Sequence, residues 1–188
     1  LASVTKPEEV GELLRAIEGY SGTLTVRSAL KLAPLVFVRP GELRTALWAD
    51  VDLANAEWRF LVTKTKTELI VPLATQAVAI LTELAALTGN RAYVFPSARS
   101  PRRPMSNNAV LSALRRMEIG KEEMSGHGFR AMARTILDEV LGYRPDIIEH
   151  QLAHQVKDPL GRAYNRTSHI SERKGMMQAW ADYLDALK

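Results

Sequence analysis

The hydrophobic pattern of this chain changes period once and then changes back, which restricts the folds open to it. Residues 46–51, 57–63 and 68–73 are short, β-prone runs separated by turn residues. On either side the apolar residues recur at helical spacing, as in Val10, Leu13, Leu14 and Ile17. Runs this short and this close together pair as an antiparallel sheet of three strands. The expected class is therefore α+β, mainly α, with a small three-stranded sheet set into a helical domain.

Local punctuation places the helices. Thr5 can cap a first helix, with Glu8 returning the bond and Pro7 in the first turn; Gly19 and Gly22 bracket its end. A second helix fits 25–38, redirected by Pro34. Arg39-Pro40-Gly41-Glu42-Leu43 is a turn that opens a further short helix. After the strands, 75–88 is rich in Ala and Leu and stops at Gly89-Asn90. A loop rich in Pro and Arg spans 94–105, and Ser106 or Asn107 caps a helix running to about Met117. Further helices fit 128–141, 145–152 and 172–187.

With 46% hydrophobic residues, the 188-residue chain can build a core, and no apolar run is long enough to span a membrane. There is no cysteine, which excludes disulfides and thiolate metal sites and fits a cytoplasmic setting. The chain opens Leu1-Ala2-Ser3-Val4-Thr5 without an initiator Met or signal peptide, and is read as part of something longer. A net charge of +4 permits a polyanionic partner. Arg102, Arg103, Arg115, Arg116, Lys121, Arg130, Arg134, Arg144, Arg162 and Arg166 all lie in the second half, and would attract a duplex if they converge on one face.

Three features can carry chemistry. Arg39 stands at a helix-to-turn boundary. His127 and Arg130 are three apart at a helix start, a spacing that puts both on one face. Leu152-Ala153-His154 is followed by Tyr164. Two arginines can hold the non-bridging oxygens of a phosphate, histidines can move protons near neutral pH, and a tyrosine hydroxyl can act as nucleophile beside cations. Taken singly each has an ordinary reading: a surface Arg, a chance His-x-x-Arg, a core Tyr. Their order and spacing carry the argument.

That ordered set resembles the tyrosine recombinase, or phage integrase, family over residues 25–185. Leu35-Val36-Phe37-Val38-Arg39-Pro40-Gly41-Glu42-Leu43 is similar to the family's first arginine box, with Glu42 its supporting acid. Residues 63–73 are similar to its lysine hairpin; Lys64 is the favoured lysine and Lys66 the second choice. Ser125-Gly126-His127-Gly128-Phe129-Arg130-Ala131 is similar to the second box. Gln151-Leu152-Ala153-His154 has Ala153 where many members have Gly, and Ala163-Tyr164-Asn165-Arg166 supplies the tyrosine. The end of the chain, Met176-Met177 through Trp180-Ala181-Asp182-Tyr183-Leu184, is similar to integrases of prophages and genomic islands.

The resemblance implies a site-specific recombinase whose catalytic residues are Arg39, Lys64, His127, Arg130, His154 and Tyr164. Residues 1–188 would be its catalytic domain, without the N-terminal DNA-binding region. It implies a 3′-phosphotyrosine intermediate, no cofactor and no metal. The partners would be double-stranded attachment sites, a homotetramer on DNA and accessory DNA-bending proteins, in the cytoplasm at the nucleoid. The apolar stripe Met176, Met177, Trp180, Tyr183, Leu184 and Leu187 would either pack on its own core or dock on a neighbouring protomer. The rival readings are a DNA-binding module without catalysis, a relaxing topoisomerase of the tyrosine type, and a zinc hydrolase using His150 and His154. The last lacks a Glu general base, since Gln151 stands in its place.

Overall fold

The computed structural model describes residues 1–154 and 169–188. Helix α1 (Pro7–Glu18) is capped at Lys6, with no side-chain cap bond, so Thr5 does not cap it. Pro7, with its preset backbone, and the acids Glu8 and Glu9 at the positive helix end secure the start instead. Val10, Leu13, Leu14 and Ile17 are all buried, which stabilises the fold by roughly 1.5–3 kcal/mol per side chain. The face packs on the last helix, α8 (Ile170–Leu187), which begins two residues earlier than the sequence suggests. A Cβ on Gly11 would run into the Leu187 carbonyl oxygen, so glycine is what lets the two helices approach.

Helix α2 (Leu24–Val36) is capped by Thr23, whose side chain accepts from the Val26 N–H. Pro34 lies in its final turn, and the helix stops sooner than the expected 38, at Phe37, which is left-handed at φ 36°. Two contacts from α8 hold this break. Trp180 Nε1 donates to the Pro34 carbonyl at 2.8 Å, and the Trp180 ring meets Phe37 edge-on at 6.4 Å. Helix α3 (Pro40–Arg44) follows directly.

The sheet is antiparallel with order β1 (Val51–Asp52), β2 (Glu57–Val62), β3 (Thr67–Pro72). Its first strand is shorter than the 46–51 run predicts. Ala46 and Trp48 exchange backbone bonds with Val94 and Ala92 instead, and residues 48–50 form a 3-10 turn. In the register of β2 with β3, Trp58 faces Val71 and Phe60 faces Leu69. Trp58 and Val62 are buried while Arg59 and Leu61 are exposed, the alternation of a sheet with one wet face.

Helix α4 (Thr75–Thr88) matches its expected span. Helix α5 (Ala109–Arg116) is capped at Asn108, not at Ser106 or Asn107; Ser106 Oγ accepts from the Asn108 N–H. Helix α6 is Gly128–Glu139 and α7 is Pro145–Gln151. Met176, Met177, Trp180 and Leu184 of α8 are at most 1% exposed, so the apolar stripe packs on the chain's own core, the first of its two readings. None of the described helices is long and apolar enough to cross a membrane.

Candidate active site

The break after α2 places the first arginine. Arg39 is the N-cap of α3, and its backbone N–H donates to Glu42 Oε1 at 2.9 Å. Its Nη1 lies 3.6 Å from Glu42 Oε2. Both atoms are shut off from solvent and, among the described residues, neither has a hydrogen-bond partner. Glu42 thus fixes the turn through the backbone and leaves the guanidinium with bonding capacity to spare.

Arg130 sits in the first turn of α6, beside two helix ends that supply acceptors. Nη1 donates to the Phe37 carbonyl at 2.9 Å and Nη2 to the Leu152 carbonyl at 2.8 Å. Both carbonyls are free because each residue ends a helix. Burial, reinforced by the nearby charge of Arg39, pushes the Arg130 pKa down to about 10, so it remains a cation at neutral pH. A partly buried guanidinium with a second one nearby is a setting in which a bound anion would offset both the burial and the repulsion felt by Arg130.

His154 is delivered by the end of α7. The Ala153 N–H donates to the His150 carbonyl and the His154 N–H to the Glu149 carbonyl, with Ala153 left-handed at φ 57°. This pair of bonds is a Schellman stop. It leaves the Leu152 carbonyl for Arg130 and swings His154 off the helix, so His150 and His154 do not share a helix face as a zinc pair would. His154 Nε2 lies 3.4 Å from Arg130 Nη2, and Nδ1 lies 2.5 Å from Glu149 Oε2. Among the described residues no cluster of three or more His, Asp or Glu groups could hold a metal.

His127 is the N-cap of α6, exposed, and outside the helix proper. Its neighbours are firmly set. Ser125 Oγ accepts from the Gly128 N–H and donates to the Ala2 carbonyl, and Ser3 Oγ donates to the Gly128 carbonyl. Among the described residues its side chain makes no hydrogen bond with Arg39, Arg130 or His154. Lys64 and Lys66 lie in the turn joining β2 to β3, both exposed, with Lys66 left-handed and its N–H donating to the Val62 carbonyl at 2.8 Å. The structure therefore puts the lysines on the expected hairpin without choosing between them. Tyr164, Arg162 and Arg166 lie outside the described residues.

Among the described residues, several of the basic groups of the second half are tied to acceptors within the chain. Arg115 donates to the Ile119 and Met124 carbonyls, Arg134 to Glu149, and Arg144 to Asp146. Arg102, Arg103, Arg116 and Lys121 are exposed. Two residues went unnoticed in the sequence. Glu149 holds His154 from five positions earlier. Arg173, fully buried, donates through Nε to Gln151 Oε1 at 2.8 Å and through Nη2 to the Ile70 carbonyl. Arg173 ties the strand that leads from the lysine turn to the helix that presents His154. Only pairing across distant segments reveals such a role.

This arrangement has counterparts. A model of the phage integrase family matches residues 3–169. The integrase of Enterobacteria phage P4 is 40% identical over 190 residues, covering 93% of this chain and 43% of that protein. The chain spans less than half the length of the curated relatives it matches. Among solved structures, the integrase from mycobacterium phage Brujita aligns over 100% of this chain and 65% of its own, with a TM-score of 0.71 at 16% identity. A lambda integrase tetramer bound to a Holliday junction aligns over 84% of this chain and 48% of its own, with a TM-score of 0.59 at 20% identity. The matched residues include α3 and α6, which carry Arg39 and Arg130, and this chain belongs to the phage integrase family.

Proposed function

We propose that this chain is the catalytic domain of a site-specific DNA recombinase that breaks and rejoins strands through a 3′-phosphotyrosine link. The observation that carries the reading is Arg130 with His154 Nε2 3.4 Å from its Nη2 and with Arg39 near enough for its charge to lower the Arg130 pKa. Such a set fits a tetrahedral phosphate whose negative charge grows as a fifth oxygen approaches.

In this reading Tyr164 attacks the DNA phosphorus and the 5′-oxygen leaves. Arg39 and Arg130 neutralise the non-bridging oxygens. Lys64 on the hairpin donates the proton to the leaving oxygen, His127 takes part in proton transfer at the tyrosine, and His154 hydrogen-bonds a phosphate oxygen. The new phosphotyrosine ester keeps the energy of the broken one, so a partner strand's 5′-hydroxyl reseals it without ATP. Two guanidiniums and an ammonium supply the positive charge that the transition state calls for.

The substrate class is double-stranded attachment sites of a mobile element. The working form is a homotetramer on DNA, in keeping with the lambda integrase tetramer on a Holliday junction. Accessory DNA-bending proteins and a place at the bacterial nucleoid belong to the same reading.

The test uses duplexes with 5′-bridging phosphorothiolates, which trap the cleaved state because the sulfur leaving group reattacks poorly. A covalent protein–DNA adduct on a denaturing gel, lost in Tyr164→Phe while noncovalent binding persists, is the expected result. An adduct that survives in Y164F would transfer the role to Tyr143 or Tyr183.

A further inference from the structure

The two ring nitrogens of His154 have different partners. Nδ1 is 2.5 Å from Glu149 Oε2, and a carboxylate oxygen can only accept, so Nδ1 carries a hydrogen. Nε2 faces Arg130 Nη2 at 3.4 Å; a guanidinium only donates, so without phosphate Nε2 takes this contact through its lone pair, and the proton on Nε2 is one gained when a phosphate oxygen replaces it as the partner. Glu149 is gripped at its other oxygen as well, where Arg134 Nε donates to Oε1 at 2.6 Å. Its backbone carbonyl accepts the His154 N–H at 3.0 Å. One residue thus fixes both the ring and the main chain of His154. Burial works to raise the Glu149 carboxyl, but the bonds from His154 and Arg134 outweigh it and hold the group below its ordinary value. The side chain is a carboxylate at neutral pH.

A phosphate oxygen is also only an acceptor. With Nδ1–H committed to Glu149, His154 can serve a phosphate through Nε2 only if that nitrogen is protonated too, which makes the ring a cation. The charged groups around it pull in opposite directions. Arg130, and behind it Arg39, oppose a further positive charge, while Glu149 favours one and is itself partly neutralised by Arg134; Glu42 lies with Arg39 on α3.

We propose that Glu149 is a positioning residue that orients His154 and stabilises it as an imidazolium donating from Nε2 to the phosphate. The proposal rests on the recombinase reading above. It goes beyond that reading by adding a residue of α7 that touches neither DNA nor the reacting atoms. It also assigns Arg134 to holding Glu149 in place, away from the DNA.

Two measurements test it. The first is an NMR titration of the His154 imidazole in the protein without DNA. Glu149→Gln removes the counter-ion and moves the midpoint to lower pH, whereas Arg134→Gln removes a competing cation and moves it higher. Unchanged midpoints, or both variants moving the same way, would overturn the proposal. The second is the single-turnover rate of adduct formation on phosphorothiolate duplexes across pH. The wild-type rate falls as pH rises through the His154 titration. E149Q brings that fall to lower pH and slows cleavage at neutral pH roughly 10- to 100-fold, by analogy with the carboxylate partners of metal-bound histidines. A uniform slowing with an unshifted profile would mean a merely structural role and would also sink the idea. If the midpoints move as stated but wild type gives no adduct on any duplex, the Glu149–His154 coupling stands and the recombinase reading falls.

Discussion

Arg130 Nη1 and the carbonyl of Phe37 are 2.9 Å apart although 93 residues separate them in the chain. The bond exists because α2 ends in a left-handed residue whose carbonyl is left over from the helix. Its counterpart is the Leu152 carbonyl at 2.8 Å, left over from the end of α7. A guanidinium spans two such acceptors in one plane; an ammonium does not.

Arg130→Lys is therefore not a conservative change. A lysine reaches one carbonyl at most and leaves the other buried without a donor, at a cost of about 1–3 kcal/mol. Urea unfolding should show the loss as a lower midpoint at an unchanged slope. Adduct formation should fall at least about 100-fold, the scale for removing one preorganised donor from a developing oxyanion. Near-normal cleavage by R130K would show that Arg130 serves the fold and not the phosphate.

Ala153 shows how much a single sequence can reveal. The resemblance noted that many family members have glycine there, and the backbone supplies the reason: φ is 57°, in the region glycine enters without penalty. Alanine bears about 1–2 kcal/mol of strain there, but its buried methyl contributes about 0.8 kcal/mol, and replacing it with glycine loosens the unfolded chain by about 0.4–1 kcal/mol. These terms nearly cancel. Ala153→Gly should stay within about 0.5 kcal/mol of wild type in urea unfolding, where an ordinary buried alanine would lose more. Ala153→Val, β-branched in a left-handed site, should cost at least about 2 kcal/mol and displace His154. Equal costs for the two variants would contradict the Schellman stop.

The helices, the hairpin and the order of the boxes were legible because each is written in local period, turn residues or short motifs. Phe37, Glu149 and Arg173 were not. Phe37 adopts a left-handed turn without the glycine that announces one, held there by Trp180 from the far end of the chain. Arg173 looks like any helix-surface arginine until β3 and α7 close over it. The run 46–51 has strand composition, but the backbone partners of Ala46, Leu47 and Trp48 lie at 92–94, which no local pattern discloses. Thr5 had the right chemistry for a cap and stood one residue too early.

His150 leads to a prediction about stability and pH. Its ring is buried on α7 and meets His169 edge-on at 5.2 Å. Burial, and then the nearby charges of His169 and Arg173, lower its pKa from the ordinary 6.5. The unfolded chain therefore takes up this proton before the folded one does, so stability drops as pH falls below about 6.5 and continues to drop until the folded pKa is reached. The carboxylates held low by partners, Asp146 by Arg144 and Glu57 by Arg59, lose their contribution only in their own range, below about pH 4. Urea unfolding at pH 7.5 and 5.5 isolates the histidine window. Wild type should be less stable at the lower pH, and His150→Gln should show a smaller difference, since glutamine does not titrate. A difference as large in H150Q as in wild type would show that His150 is not its source.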